Sequence, residues 1–143
     1  TLRQSQEKFL QDYPLQAAPV SENVPLISNQ DVYMNIALIK QYHENMPRRK
    51  AQQLALTYLE RFGLGAIAGR RNPALNTEER FCVMLLRAAM VKDAMILIDQ
   101  PFQIVPHLQD GRFIMDALKI IDDLYSSCHI YDYRWMEKKY GEL

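Results

Sequence analysis

Asp99 and Gln100, at the end of the apolar run Ala94 to Ile98, are the residue pair with the most to say about chemistry. A short apolar run closed by an aspartate reads as a buried strand that delivers a carboxylate to its carboxyl end. In open α/β sheets, ligands bind at that end. Nucleotide hydrolases use such an aspartate to hold the magnesium of a bound triphosphate, with a glutamate nearby to orient water. Here the following residue is Gln100, a neutral amide that cannot take a proton. Asp99 is thus a candidate magnesium ligand without its base.

The elements that must position this pair read as an alternation of helices and short strands. Residues 2–12 suggest a weak, polar helix that Pro14 ends. Leu15 to Val20 suit a short strand, and Pro19 argues against a central ladder position. From Gln30 to Glu44, Val32, Ile36, Ile39 and Tyr42 recur at helical spacing, with Asn29 as the candidate N-cap. A second helix opens with Pro47 in its first turn, buries Ala51, Leu54, Ala55, Tyr58, Leu59 and Phe62, and ends at Gly63. Gly65, Gly69 and Asn72–Pro73 punctuate a loop.

Asn76 to Glu79 predict a capping box that starts a third helix, with Phe81, Met84, Leu85, Ala88 and Ala89 on its buried face. Beyond the Asp99 strand, Asp110–Gly111 marks a turn. Phe113, Ala117, Ile120, Ile121 and Leu124 mark a fourth long helix. Ser126 to Tyr131 fit another short strand, followed by a polar terminal helix carrying Trp135. The expected class is α/β and rich in helix.

Composition excludes several functions. The 143 residues suffice for one domain or a piece of one. Seventeen basic and seventeen acidic side chains cancel, so bulk charge favours neither nucleic acid nor an anionic membrane. No apolar run approaches the roughly 20 residues that a membrane helix needs. The first residues do not resemble a signal peptide and lack an initiator methionine, which leaves room for sequence upstream. Cys82 and Cys128 have neither metal spacing nor the density of a disulfide framework, and a cytoplasmic location is the expectation. His43, His107 and His129 share no metal-binding spacing and read as structural or exposed. Arg48 to Lys50 and Arg70–Arg71 read as solvated basic clusters, and Met84, Met90 and Met95 as core filler. Tyr131, Tyr133 and Trp135 suit either an interface or a packed terminal helix.

The segment from Leu75 to Phe102 resembles the signature-helix-to-Walker-B segment of ATP-binding cassette (ABC) ATPases. That family's pattern is L-S-G-G-Q, a helix containing A-R-A-L, then four apolar residues and D-E-P-F. The spacing matches without a gap, and Arg87–Ala88 stand at the A-R-A-L step. Upstream, Val20 to Leu38 resemble the Q-loop and the first helix of the helical subdomain, as found in importer and lipid-trafficking members. Ile130 to Asp132 fall where the family has T-H-D of its H-loop. The resemblance covers residues 16–135. It implies one partial cassette domain over 1–143, with 29–91 as helical subdomain and 15–22 plus 92–135 as remnant of the RecA-like core. It also implies a parallel sheet in the order Q, B, H, with the phosphate-loop strand packing outside the H strand. That outer edge is therefore expected to be covered by a second copy, a missing amino-terminal half or residues 1–14.

The departures remove the family's chemistry. Glu22 stands at the Q-loop glutamine. Asn76, Thr77, Glu78 and Glu79 stand at the signature, where two glycines would let backbone amides approach a γ-phosphate. Glu78 and Glu79 read equally as cap and first-turn residues. Gln100 occupies the catalytic glutamate position and Tyr131 the switch histidine position. Only Asp99, the magnesium ligand, keeps its identity, and the chain holds no G-x-x-x-x-G-K-[ST] motif. The resemblance therefore implies a non-hydrolysing subunit with a structural or regulatory role. It would dock to a transporter permease or a partner ATPase, peripheral to the inner membrane without inserting into it, and could pair with its own copy. No cofactor is expected in this chain; Mg-ATP belongs to the alternative, a carboxyl-terminal part of an ABC ATPase whose Walker A half lies outside it. A small protein-interaction adaptor is the remaining class.

Overall fold

In the computed structural model, which describes Gln4 and residues 15–141, three parallel strands form the sheet on which everything else is hung. They are β1 (Ala17–Val20), β2 (Ala94–Asp99) and β3 (Tyr125–Tyr131), in the spatial order β1-β2-β3. Both pairings are parallel: Val20 lies opposite Ile98, and Asp99 opposite Tyr131. The expected α/β class with a short parallel sheet is therefore the observed one. β2 is central, which explains its continuous apolar run. Ile96 and Ile98 join the main core, while Leu97 points to the opposite face and is buried there too. Pro19 sits in β1 at an edge, where a missing N–H costs no ladder bond. No described strand pairs with the outer edge of β3. The register slips between Ala94 and Met95, and Ser126 Oγ donates to the carbonyls of Asp93 (2.9 Å) and Ala94 (3.0 Å) beside the slip.

Two helices, α1 (Val32–Glu44) and α2 (Arg48–Arg61), pack on each other, and α3 (Thr77–Ala89) joins α1 to the sheet. Phe81, Leu85 and Leu86 of α3 and Ile36 and Leu59 from the hairpin are fully buried. The α2 stripe runs as its spacing predicts, although Leu54 and Tyr58 are only half-buried. Gly63 follows the C-cap residue Phe62 with φ of +68°, the left-handed conformation that glycine adopts without strain.

Several boundaries differ from the sequence-based expectation. The N-cap of α1 is Asp31, not Asn29, and its side chain makes no cap hydrogen bond. The start of α1 is held instead by the buried Asn35 amide. Asn35 Oδ1 accepts from Ile27 N–H at 2.8 Å, and its Nδ2 donates to the carbonyls of Ile27, Gln30 and Asp31. Pro47 is the N-cap of α2 rather than a residue of its first turn. The expected loop at 65–74 contains two 3-10 turns, Gly65–Ile67 and Asn72–Ala74. Arg80 ties down the second, donating from Nε to Asn72 Oδ1 at 2.6 Å and from Nη2 to two carbonyls.

Past β2 come a single turn, α4 (Pro101–Ile104), and then α5 (Arg112–Ile120), which is nine residues and not a long helix. Ile121 ends α5 and is buried although it is not helical. The expected terminal helix is a 3-10 turn, Arg134–Met136, followed by one turn, α6 (Glu137–Tyr140). Of the helix expected at 2–12, and of the cover that residues 1–14 were expected to provide, all but Gln4, which is helical and exposed, lies outside the described residues.

Candidate functional site at the strand ends

The carboxyl ends of the three strands converge on Asp99. Ser21, one residue past β1 and itself buried, donates from Oγ to Asp99 Oδ2 at 3.3 Å. Gln100 Nε2 donates to Asp99 Oδ1 at 3.4 Å, and Gln100 N–H donates to the carbonyl of Tyr131 at 2.7 Å. The sheet thus brings together Asp99, Gln100 and Tyr131 as the motif spacing implies. Ser21 is an addition that spacing could not find, because only the β1–β2 register aligns it with Asp99.

Gln100 also carries backbone strain. Its φ of 48° and ψ of 64° place a non-glycine residue in the left-handed region, immediately before Pro101 opens α4. That turn aims the chain so that Phe102 and Ile104 enter the core. The Gln100 amide supplies a donor and a dipole beside Asp99, and no base.

Next to Gln100 is a small crevice, lined also by Phe102, Asp132, Trp135 and Lys139, of about 130 Å³, well below the roughly 300–1,000 Å³ of small-molecule pockets. The carboxyl-terminal turn forms part of its wall. Tyr140 O–H donates to Asp132 Oδ2 at 2.5 Å, its ring lies 5.1 Å from that of Phe102, and Lys139 Nζ stands 4.6 Å above the Phe102 ring. Burial, reinforced by the hydrogen bond to Asp132, holds the Tyr140 hydroxyl well above its ordinary range.

The residues expected at the signature lie elsewhere and close on themselves. Asn76 Oδ1 accepts from Glu79 N–H at 2.8 Å, and Glu79 Oε1 accepts from Asn76 N–H at 2.9 Å. The capping box is thus formed as predicted. Thr77 and Glu78 share His107, whose Nδ1 is 3.3 Å from Thr77 Oγ1 and whose Nε2 is 2.9 Å from Glu78 Oε1. An anion approaching the start of α3 would meet two carboxylates and an amide group already spent on the cap. Glu22 is exposed and lines a cleft of about 350 Å³ with Pro25, Arg80 and Met84, apart from the Asp99 cluster. Arg87, at the A-R-A-L step, donates to the carbonyls of Val24 and Pro25 and so fixes the loop that follows β1. Burial lowers its basicity, and the two carbonyls satisfy donors of its fork.

Asp99 with Ser21 offers a few hard oxygens, short of the six that magnesium takes. Among the described residues, no three His, Cys, Asp or Glu side chains converge. A cation at Asp99 would need most of its shell from water or from ligand oxygens. The two thiols are inert in character: burial, with Glu78 and Glu79 adding to it at Cys82, pushes both Cys82 and Cys128 up to about 12. Compared with known proteins, the chain matches no family model and no curated protein. The cassette resemblance therefore rests on motif positions alone.

Proposed function

We propose that the chain is a non-hydrolysing, ABC-ATPase-like subunit or domain with a structural or regulatory role, docking to a transporter permease or a partner ATPase. The observation that carries this reading is the parallel order β1-β2-β3 with Asp99 at the central strand end, flanked by Gln100 and Tyr131. A sheet that keeps the places of a nucleotide site while its base, its glycines and its volume are missing suits binding without turnover. The helical hairpin α1–α2 supplies a surface for such docking, on which Tyr42 (80% exposed) and Leu56 (40% exposed) face solvent. Among the described residues no helix is long and apolar enough to cross a membrane, so contact with one would run through the partner.

Two measurements test the reading. The hydrolysis rate with Mg-ATP should sit at background for the chain and for Gln100→Glu, because the base is only one of several missing parts. Copurification with a co-expressed permease subunit should be lost in a Tyr42→Ala, Leu56→Glu variant that remains folded. Turnover in Gln100→Glu, or retention of the permease by the double variant, would each overturn the proposal.

A parallel sheet with Asp99 at its central strand end, in a sequence that holds no G-x-x-x-x-G-K-[ST] motif, favours a second reading, in which this is the carboxyl-terminal part of an active ABC ATPase whose Walker A half lies outside the chain. An upstream segment with a glycine-rich phosphate loop that restores hydrolysis on co-expression would select it.

A further inference from the structure

A hollow of about 440 Å³ opens beside the start of α3, between that helix, the end of α2 and α5. Its walls are apolar and partly aromatic: Phe62 and Leu64 on one side, Phe113 and Ile120 on the other. Its rim carries Glu78, Glu79 and Asp116, and no lysine or arginine is among its lining residues. The nearby cations are engaged elsewhere. Arg61 forms a two-pronged pair with Asp123 at 2.6 and 3.1 Å, and Arg112 pairs with Asp110. Arg70 reaches Glu79 only at 4.0 Å. The field of Glu78 and Glu79 extends into the hollow, since both carboxylates add to the burial effect on the Cys82 thiol at its base.

An apolar body with a positive end satisfies every part of this surface. Two phenyl rings can face an aryl or alkyl group and stabilise a cation over their faces. Asp116, with the carboxylate oxygens that Glu78 does not spend on His107 and Glu79 does not spend on the cap, can accept the N–H donors of an ammonium. An anion would be repelled, and a neutral ligand would leave the rim unused. We propose that the hollow between α2, α3 and α5 is a binding site for a small organic cation, a protonated primary amine on an aromatic or branched aliphatic body. The volume lies within the range of small-molecule pockets. The site is distinct from the Asp99 crevice and does not depend on whether the chain hydrolyses a nucleotide.

The test is a titration of the isotopically labelled full chain by amide NMR with benzylammonium, benzyl alcohol and benzoate in parallel at constant ionic strength. Benzylammonium should produce saturable shifts at Leu64, Cys82, Phe113 and Ala117. Benzyl alcohol should bind at least about tenfold more weakly, and benzoate should not bind there. Glu78 and Asp116 are surface groups, so Glu78→Gln with Asp116→Asn should leave the fold intact and cost the ammonium about tenfold in affinity. Equal affinity for the alcohol and the ammonium, an unchanged ammonium affinity in the double variant, or shifts scattered outside the hollow would overturn the proposal.

Discussion

The crevice at the strand ends and the hollow beside α3 are opposite solutions to the question of where this fold meets a ligand. At the first, the sheet delivers a carboxylate to its carboxyl end, where Ser21 and Gln100 donate to Asp99, and the Tyr140 turn packs on Phe102 and Asp132. At the second, a helix start that could receive an anion is capped by its own side chains and bordered by acid, while an apolar hollow is left open beside it. Keeping a scaffold and keeping a site are separate outcomes. Burying Ile96, Ile98 and Leu85 stabilises the whole chain and so holds the strand order, whereas a base or a phosphate-binding glycine would serve only chemistry.

Substitutions can sharpen that contrast. The largest effect is expected where both regions share a core. Leu85→Ala, at a fully buried position of α3, should cost roughly 2–5 kcal/mol in chemical denaturation. Leu54→Ala, half-buried, should cost clearly less; equal costs would mean that the hairpin core is drawn wrongly.

Alkaline pH should act on both regions. The folded state holds the Cys82 and Cys128 protons up to about 12 instead of an ordinary 9.0. The unfolded chain therefore releases them first as pH rises. This contribution is complete below about pH 9 and is lost between about 9 and 12. The Tyr140 hydroxyl, raised from its ordinary 10.0, acts in the same direction at higher pH. Denaturation midpoints should fall across that window, Cys82→Ala should flatten the decline, and Tyr140→Phe should remove its most alkaline part. A midpoint independent of pH above about 9 would contradict the buried placement of these groups.

Smaller effects separate the two regions. Asn76→Ala opens the capping box and should destabilise by about 1 kcal/mol, measured by denaturant midpoint, without altering the strand-end crevice. Gln100→Gly relieves a left-handed non-glycine residue and should stabilise by about 0.5–1 kcal/mol after the unfolded glycine's added freedom is counted. Destabilisation by Gln100→Gly would mean that the side-chain contact to Asp99 outweighs the strain.

Much of this architecture could be read from residues alone. The Asn76 to Glu79 box, the Gly63 stop, the α2 stripe and the buried strand ending at Asp99 are all local patterns, and local patterns carry their own physics. Asn29 misled as a cap because the start of α1 is set by a buried amide reaching back from Asn35, a tertiary arrangement no window reveals. The long helix expected over 113–124 stops at Ile120 although apolar residues continue, since Ile121 reaches the core from a non-helical position. Of the site, the grouping of Asp99, Gln100 and Tyr131 was legible from motif spacing. Ser21, His107 and the Asp132–Tyr140 contact were not, because each depends on strand register or on the path of a loop. The open hollow was equally hidden: its walls come from three helices far apart in the chain.

The proposal that this chain is an ABC-ATPase-like domain without the groups that grip a triphosphate is tested directly by calorimetric titration with Mg-ATP. The account predicts no association tighter than about millimolar for the chain. A saturable micromolar isotherm, abolished by Asp99→Asn, would contradict it.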